Sequence, residues 1–110
     1  MAVQHEGKEA PVLPEEMNPA DTDTFYISWT NKLNGAALSS DTWTIPANFT
    51  EVSTVSNVSA IEGGTTYTDS NGITLSTTET KGSFLITNNA IFDDGRELSR
   101  SFKIIIDGSL

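Results

Sequence analysis

The stretch Ser83–Ile106, SFLITNNAIFDDGRELSRSFKIII, decides the fold class of this chain. Apolar and polar residues alternate at period two on both sides of Asp93-Asp94-Gly95, which is the pattern of a β-hairpin. A two-residue loop at Asp94-Gly95 would place the two apolar sets on opposite faces. A three-residue loop, with Gly95 at positive φ, buries both sets together and pairs Ile86 with Phe102. We therefore predict the three-residue loop.

Short alternating segments separated by turn residues also fill the chain from Asp23 onward. The Val52, Val55 and Val58 spacing of three fits neither plain alternation nor a helix, and it predicts a strand with a bend or bulge. The first predicted strand is Thr24–Trp29, with Phe25, Ile27 and Trp29 on one face. Short strands are predicted at Ala36–Ser39 and at Thr42–Ile45, and Pro46 ends the second of them. The bulged strand ends at Gly63-Gly64, and a small hairpin of Thr65–Thr68 with Ile73–Ser76 is predicted around Asn71-Gly72.

These elements, about six to eight short strands spaced about ten residues apart, indicate an all-β protein, and we predict an immunoglobulin-like β-sandwich. The largest predicted core residues are Trp29, Trp43 and Phe102. A chain of 110 residues forms one domain. We predict that residues 22–110 form the sandwich and that residues 1–21 form an extended N-terminal arm.

The predicted arm contains three of the four prolines, Pro11, Pro14 and Pro19, and no periodic apolar pattern. Proline excludes a regular helix or a central strand from such a segment. Two interpretations remain open, a disordered tail or an arm that orders on a neighbouring subunit. In the second, Val12, Leu13 and Met17 bind the partner, and the arm is disordered in an isolated monomer.

Charge and composition exclude several classes of function. Six Lys and Arg face 15 Asp and Glu, and the net charge of −9 opposes binding to a phosphate backbone. The chain has no cysteine, which excludes disulfides, thiolate catalysis and zinc–thiolate sites. It shows no targeting signal and no apolar run long enough for a membrane span, so we expect a protein that is made and used in soluble form.

Residues suited to catalysis are scarce. His5 is the only histidine, so neither a nucleophile–base pair of the usual kind nor a histidine metal site is predicted. Asp93 and Asp94 are explained by their place in a hairpin turn. We expect no catalytic residue, no metal and no cofactor. Arg96 and Arg100, the only arginines, either form local ion pairs with nearby acids or bind an acidic neighbour at an interface.

Several segments together resemble a known family. They are DTFYISWTNKLNGAALSSDTWTIPANFTEV, with Trp29, Ser39-Ser40 and Trp43-Thr44-Ile45-Pro46; Gly63-Gly64; Phe84–Ile91; Asp94-Gly95-Arg96; and Arg100-Ser101-Phe102. This combination resembles the fibre–tail adaptor proteins of tailed bacteriophages over roughly residues 20–106. The sequence departs from the family pattern in its long acidic arm and in the Thr-rich stretch Thr65–Gly82.

The resemblance implies a non-enzymatic virion protein that is assembled in the host cytoplasm. Multiple copies of it would be present in a symmetric assembly. Its partners would be tail, neck, fibre or capsid subunits, without nucleic acid or membrane. Two alternatives are a cement protein that decorates the capsid and a carbohydrate- or cell-surface-binding module that stacks sugars on Trp43, Tyr26 or Tyr67. A small hydrolase ranks last.

Overall fold

The computed structural model describes the backbone of residues 2–5, 15–17 and 21–106, with the side chains of residues 16–17 and 21–106. Over these ranges the chain forms eight strands, and the one helical element is a 3-10 turn at Thr30–Lys32. The strands are β1 Ala2–His5, β2 Glu15–Met17, β3 Thr22–Ser28, β4 Leu38–Thr44, β5 Phe49–Glu62, β6 Thr65–Thr77, β7 Gly82–Phe92 and β8 Glu97–Ile106.

The strands form two four-stranded sheets. Sheet one has the order β1-β3-β6-β5, and sheet two has the order β2-β8-β7-β4. The pairs β1–β3 and β2–β8 are parallel, and the other pairs are antiparallel. The prediction of an all-β protein is confirmed.

The C-terminal hairpin has the predicted register. Ile86 pairs with Phe102, and Phe84 pairs with Ile104. The loop is Asp93 to Gly95, with Gly95 at a φ of 93°. The Phe92 N–H donates to the Arg96 carbonyl at 2.9 Å, and the Gly95 N–H donates to the Phe92 carbonyl at 3.0 Å. Glycine suits this position because it adopts positive φ without a steric penalty.

Three further predictions for the strands are confirmed and one is wrong in detail. Phe25 and Ile27 of β3 and the following Trp29 are buried together. Strand β5 contains bulges, and β4 ends two residues before Pro46. The two short strands expected at Ala36–Ser39 and Thr42–Ile45 are one strand, β4, which stays continuous through a bulge between Leu38 and Ser40.

The small hairpin predicted around Asn71-Gly72 is wrong. Asn71 and Gly72 lie inside the continuous strand β6, and the turn of the β5–β6 hairpin is Gly63-Gly64. Asn71 turns inward because its amide has partners in the core, and Gly72 leaves space for a ring on the outer face. A Cβ at Gly72 would lie 2.5 Å from Cε1 of Tyr26. Tertiary contacts thus override the local turn signal.

Parts of the predicted N-terminal arm belong to the sheets of their own chain. Strand β1 adds to the edge of β3, and β2 adds to the edge of β8. The expected disorder of this segment in an isolated chain is therefore wrong for residues 2–5 and 15–17. Both strands are edge strands, which is the position that a proline-rich segment tolerates.

The core lies between the two sheets, and aromatic side chains span it. Phe25 of β3 lies 5.7 Å from Phe102 of β8 between ring centroids, and Trp29 meets Phe92 of β7 edge to face at 5.9 Å. The two predicted core residues Trp29 and Phe102 are buried, whereas Trp43 is only partly buried against the core. The buried apolar core comprises Met17, Phe25, Ile27, Trp29, Leu38, Phe49, Ile73, Leu75, Ile86, Ala90, Phe92, Phe102, Ile104 and Ile106.

A ring of hydrogen bonds also crosses between the sheets; we call it the Asn88 ring, and it consists of Asp41, Ser56, Asn57, Asn71 and Asn88. The Asn88 amide donates to Asp41 Oδ2 at 2.8 Å, and the Asn71 amide donates to Asn88 Oδ1 at 3.0 Å. The Asn57 N–H donates to Asn71 Oδ1 at 3.0 Å. The Ser56 hydroxyl donates to Asp41 Oδ1 and closes the ring.

Asn88 is the residue on which this ring depends. Its side chain is fully buried, and its Oδ1 also accepts a hydrogen bond from Nε1 of Trp29 at 3.0 Å. Its Nδ2 also donates to the Thr42 carbonyl at 3.2 Å. Both acceptor and both donor positions of the amide are therefore used, which is the condition for burying an amide without a large cost.

We expect Asn88→Ala to lower the free energy of unfolding by about 2–4 kcal/mol, because it leaves Trp29 Nε1 and the Asn71 amide buried without this partner. Urea unfolding measures the loss. The control is Asn89→Ala, since the neighbouring Asn89 bonds Glu97 and Ser99 at exposed positions and should cost less than about 1 kcal/mol. Equal losses in the two variants would contradict the role given to Asn88.

Candidate protein-binding surface

Arg96, predicted as an interface residue, uses all three guanidinium nitrogens within its own chain. Its Nε donates to Asp94 Oδ2 at 2.8 Å. Its Nη1 donates to the Lys32 carbonyl at 2.8 Å, and its Nη2 donates to the Leu33 carbonyl at 2.5 Å. The guanidinium carbon also lies 4.7 Å from the ring centroid of Phe92. The local ion pair is thus present, and Arg96 ties the C-terminal hairpin to the 3-10 turn.

The contact with Arg96 also changes the pKa of the Asp94 carboxyl group. The hydrogen bond from the Arg96 side chain, and then the one from its backbone N–H at 3.1 Å, lower the pKa of Asp94 below the ordinary value of 3.8. A hydrogen bond to the ionised form favours that form. The turn is therefore held most firmly when Asp94 is charged.

The other predicted interface residues occupy different places. Arg100 lies opposite Asn88 in the β7–β8 ladder and is partly buried. Met17 is 2% exposed and packs in the core of its own chain, so its side chain is not available to a neighbour in this state. Val12 and Leu13 lie outside the described residues. Met17 pairs with Ile106 at the opposite end of β8 from Arg96, so these two residues do not form one surface.

The described residues lack two features that are typical of other classes of function, a metal-binding cluster and a membrane-spanning helix. Over residues 16–17 and 21–106, no three His, Cys, Asp or Glu side chains are grouped so that they could hold a metal ion. In the same part of the chain, no helix is long and apolar enough to cross a membrane. Trp43, Tyr26 and Tyr67, the residues of the expected sugar platform, are each partly buried.

Strand β5 carries the most exposed apolar side chains in the described residues. Val52, Val55 and Ile61 are 56%, 43% and 59% exposed, and all three lie on this one strand. The run Val52–Ile61, VSTVSNVSAI, contains no charged residue, although the whole chain carries a net charge of −9. We call this run the β5 strip. An apolar, uncharged patch on a strongly charged surface is typical of a protein-binding site.

The β5 strip was visible in the sequence only as the three-residue spacing of valines. That spacing predicted the bulge but not the exposure, because exposure depends on where the strand lies in the sheet. Strand β5 is the edge of sheet one, and 14 residues make it the longest described strand. Residues of either parity are exposed over most of this strand.

Bulges decide how the β5 strip can bind. The ladder with β6 shifts register between Glu51 and Ser53, between Val55 and Val58, and between Val58 and Ala60. Asn57 adopts a φ of 52° inside this region, and its N–H points into the Asn88 ring. Such irregularity hinders addition of another strand along the edge. The strip is therefore suited to contact through its side chains.

Comparison with protein-family models finds no match for this chain. Comparison with curated proteins finds no similar sequence. The function is therefore inferred from the residues and their geometry.

We expect Arg96→Lys to lower the free energy of unfolding by about 1–2 kcal/mol, because a lysine keeps the charge but cannot bond two carbonyls and a carboxylate at once. Urea unfolding measures the change. Lys103→Ala, which removes an exposed cation from β8, is expected to change stability by less than about 0.5 kcal/mol. If both variants match the unaltered protein, the guanidinium does not hold the turn.

The lowered pKa of Asp94 gives a pH dependence of known sign. Because the folded pKa lies below the unfolded one, the contribution to stability is complete above the unfolded pKa of about 3.8 and is lost as the pH falls through the folded pKa. Asp94→Asn should therefore lower the Tm at neutral pH, and the difference should shrink on acidification. In an Arg96→Ala background the substitution should have a smaller effect at neutral pH, because only the hydrogen bond from the backbone N–H of residue 96 to Asp94 remains.

Proposed function

We propose that this chain is a non-enzymatic structural protein of a bacteriophage particle, of the fibre–tail adaptor type, which joins other virion proteins. The observation that carries the proposal is the β5 strip, an uncharged run with three exposed Val and Ile side chains on a chain of net charge −9. The resemblance over residues 20–106 to fibre–tail adaptor proteins favours a bacteriophage particle as the assembly. The proposed partners are tail, neck or fibre subunits, and the proposed location is the virion.

We also propose that the fold is an immunoglobulin-like β-sandwich. In the constant-type immunoglobulin domain, one sheet has strands in the order A-B-E-D and the other contains C, F and G. The orders β1-β3-β6-β5 and β8-β7-β4 correspond to these when β1, β3, β4, β5, β6, β7 and β8 are taken as A, B, C, D, E, F and G. The parallel pairing of β1 with β3, and of β2 with β8, departs from that pattern.

The charge of the chain explains why a neutral strip would serve as the contact. Two acidic surfaces repel each other over a Debye length of about 8 Å at physiological salt. A partner therefore approaches most easily where exposed acids are fewest. Glu51 and Glu62 lie at the borders of the strip. The carboxylate beside its middle, Asp41, is half-buried and accepts hydrogen bonds from Ser56 and Asn88. Burial of the exposed Val and Ile side chains would then supply the binding free energy, at roughly 25 cal/mol per Å² of apolar area.

The test uses two positions that differ in location but hardly in exposure. Ile61 on β5 is 59% exposed and Leu85 on β7 is 58% exposed. We expect Ile61→Lys to reduce the amount of this protein in purified particles at least about tenfold, equivalent to roughly 1.4 kcal/mol of binding. Leu85→Lys makes the same change of charge and should leave incorporation unchanged. Quantitative mass spectrometry of the particles measures both.

Two outcomes would contradict the proposal in different ways. Equal incorporation of the two variants would remove the β5 strip as the contact. Absence of the unaltered protein from purified particles would overturn the virion function itself. Both variants should unfold in urea within about 0.5 kcal/mol of the unaltered protein, because both side chains are exposed.

A further inference from the structure

The outer edges of the two sheets differ in regularity. Sheet one ends at β1 and β5, and sheet two ends at β2 and β4. Both β5 and β4 contain bulges. By contrast, β1 and β2 pair with β3 and β8 in unbroken register. The edges of β3 and β8 are therefore the regular ones, and they are the edges suited to receive an added strand.

The strands that occupy these two edges are held by few main-chain pairs. Strand β1 has four residues and β2 has three, and each pairs with one neighbour only. Both pairs are parallel, and parallel pairing is slightly less stable per residue than antiparallel pairing. In β2, Met17 adds an apolar anchor that is 2% exposed. Release of these strands leaves the other six strands paired as before.

We propose that the N-terminal strands exchange between copies of this chain, so that β1 and β2 of one copy pair with β3 and β8 of another. The exchanged state contains the same strand ladders and the same buried Met17 as the single chain. Such exchange of identical elements is a low-cost route to association. It goes beyond the proposed function, because it concerns copies of this chain and strands other than β5.

Concentration and salt decide between the two states. Within one chain, the arm has an effective concentration in the millimolar range for a short linker. Copies crowded in an assembly can compete with that value, whereas dilute copies cannot. The charge of −9 on each copy opposes their approach. Exchange should therefore increase with protein concentration and with ionic strength.

The experiment uses full-length proteins with one cysteine each, since the chain has no other thiol. Glu16 of β2 pairs with Ile105 of β8, and Lys103 lies two residues along β8 on the same face, about 7 Å away by the rise of a strand. Glu16→Cys protein is mixed with Lys103→Cys protein. The mixture is unfolded in urea, refolded at high concentration and treated with a short bis-maleimide. Mass spectrometry then identifies the mixed cross-linked dimer.

In the control, Lys103→Cys protein is mixed with Leu85→Cys protein instead of Glu16→Cys protein. Leu85 lies directly opposite Lys103 in the β7–β8 hairpin, which remains within one copy in the exchanged state. All three altered positions are exposed. We expect the Glu16→Cys mixture to give at least about tenfold more mixed dimer than the Leu85→Cys mixture, because paired strands hold the two thiols at high effective concentration. The yield should rise between low salt and about 0.5 M NaCl.

Equal yields from the two mixtures would overturn the exchange. This result would leave the β5 strip untouched, since Ile61 takes no part in the cross-link. In turn, failure of the Ile61→Lys test would not affect the cross-linking result. The two proposals can therefore fail separately.

Discussion

The hydrogen bonds of the buried Asn88 amide fix how the two sheets lie on each other. The chain has no cysteine, so no disulfide can cross between the layers. Instead, the hydrogen bonds of the Asn88 ring link the layers through residues of β4, β5, β6 and β7. Trp29, which follows β3, donates to the same ring. Apolar packing alone would allow the layers to slide, whereas a fully satisfied polar group favours one arrangement. The bulge in β5 follows from this, because Asn57 must turn its N–H inward.

The sequence predicted elements whose determinants lie close together along the chain. The register of the C-terminal hairpin follows from Gly95 and from the alternation on either side of it, all within 24 residues. The turn predicted at Asn71-Gly72 is wrong although the local sequence signal favours a turn. The true determinants of this segment, Asn88 and Tyr26, are distant in sequence. The parallel strands β1 and β2 carry no turn signal at all, so their pairing could not be predicted from the pattern.

The candidate site shows the same division. A local ion pair was one of the two interpretations left open for Arg96, and the structure contains it. The carbonyls of Lys32 and Leu33 could not be foreseen as its other partners, since they belong to a 3-10 turn far along the chain. The β5 strip has the opposite problem. Its valines are plain in the sequence, but only the edge position of β5 shows that they are exposed.

The pairing of β2 with β8 has a consequence for synthesis of the chain. The ribosome makes β2 well before its partner segment Ile104–Ile106, which lies almost 90 residues further along the chain. During translation, the hairpin β5–β6 can close as soon as it emerges, because its strands are separated only by Gly63-Gly64. Strand β2 must wait until β8 has been made, whereas β1 can pair with β3 as soon as residues 25–28 emerge. On a polysome, where several nascent copies are close together, the first finished β8 that an arm meets can belong to another polypeptide.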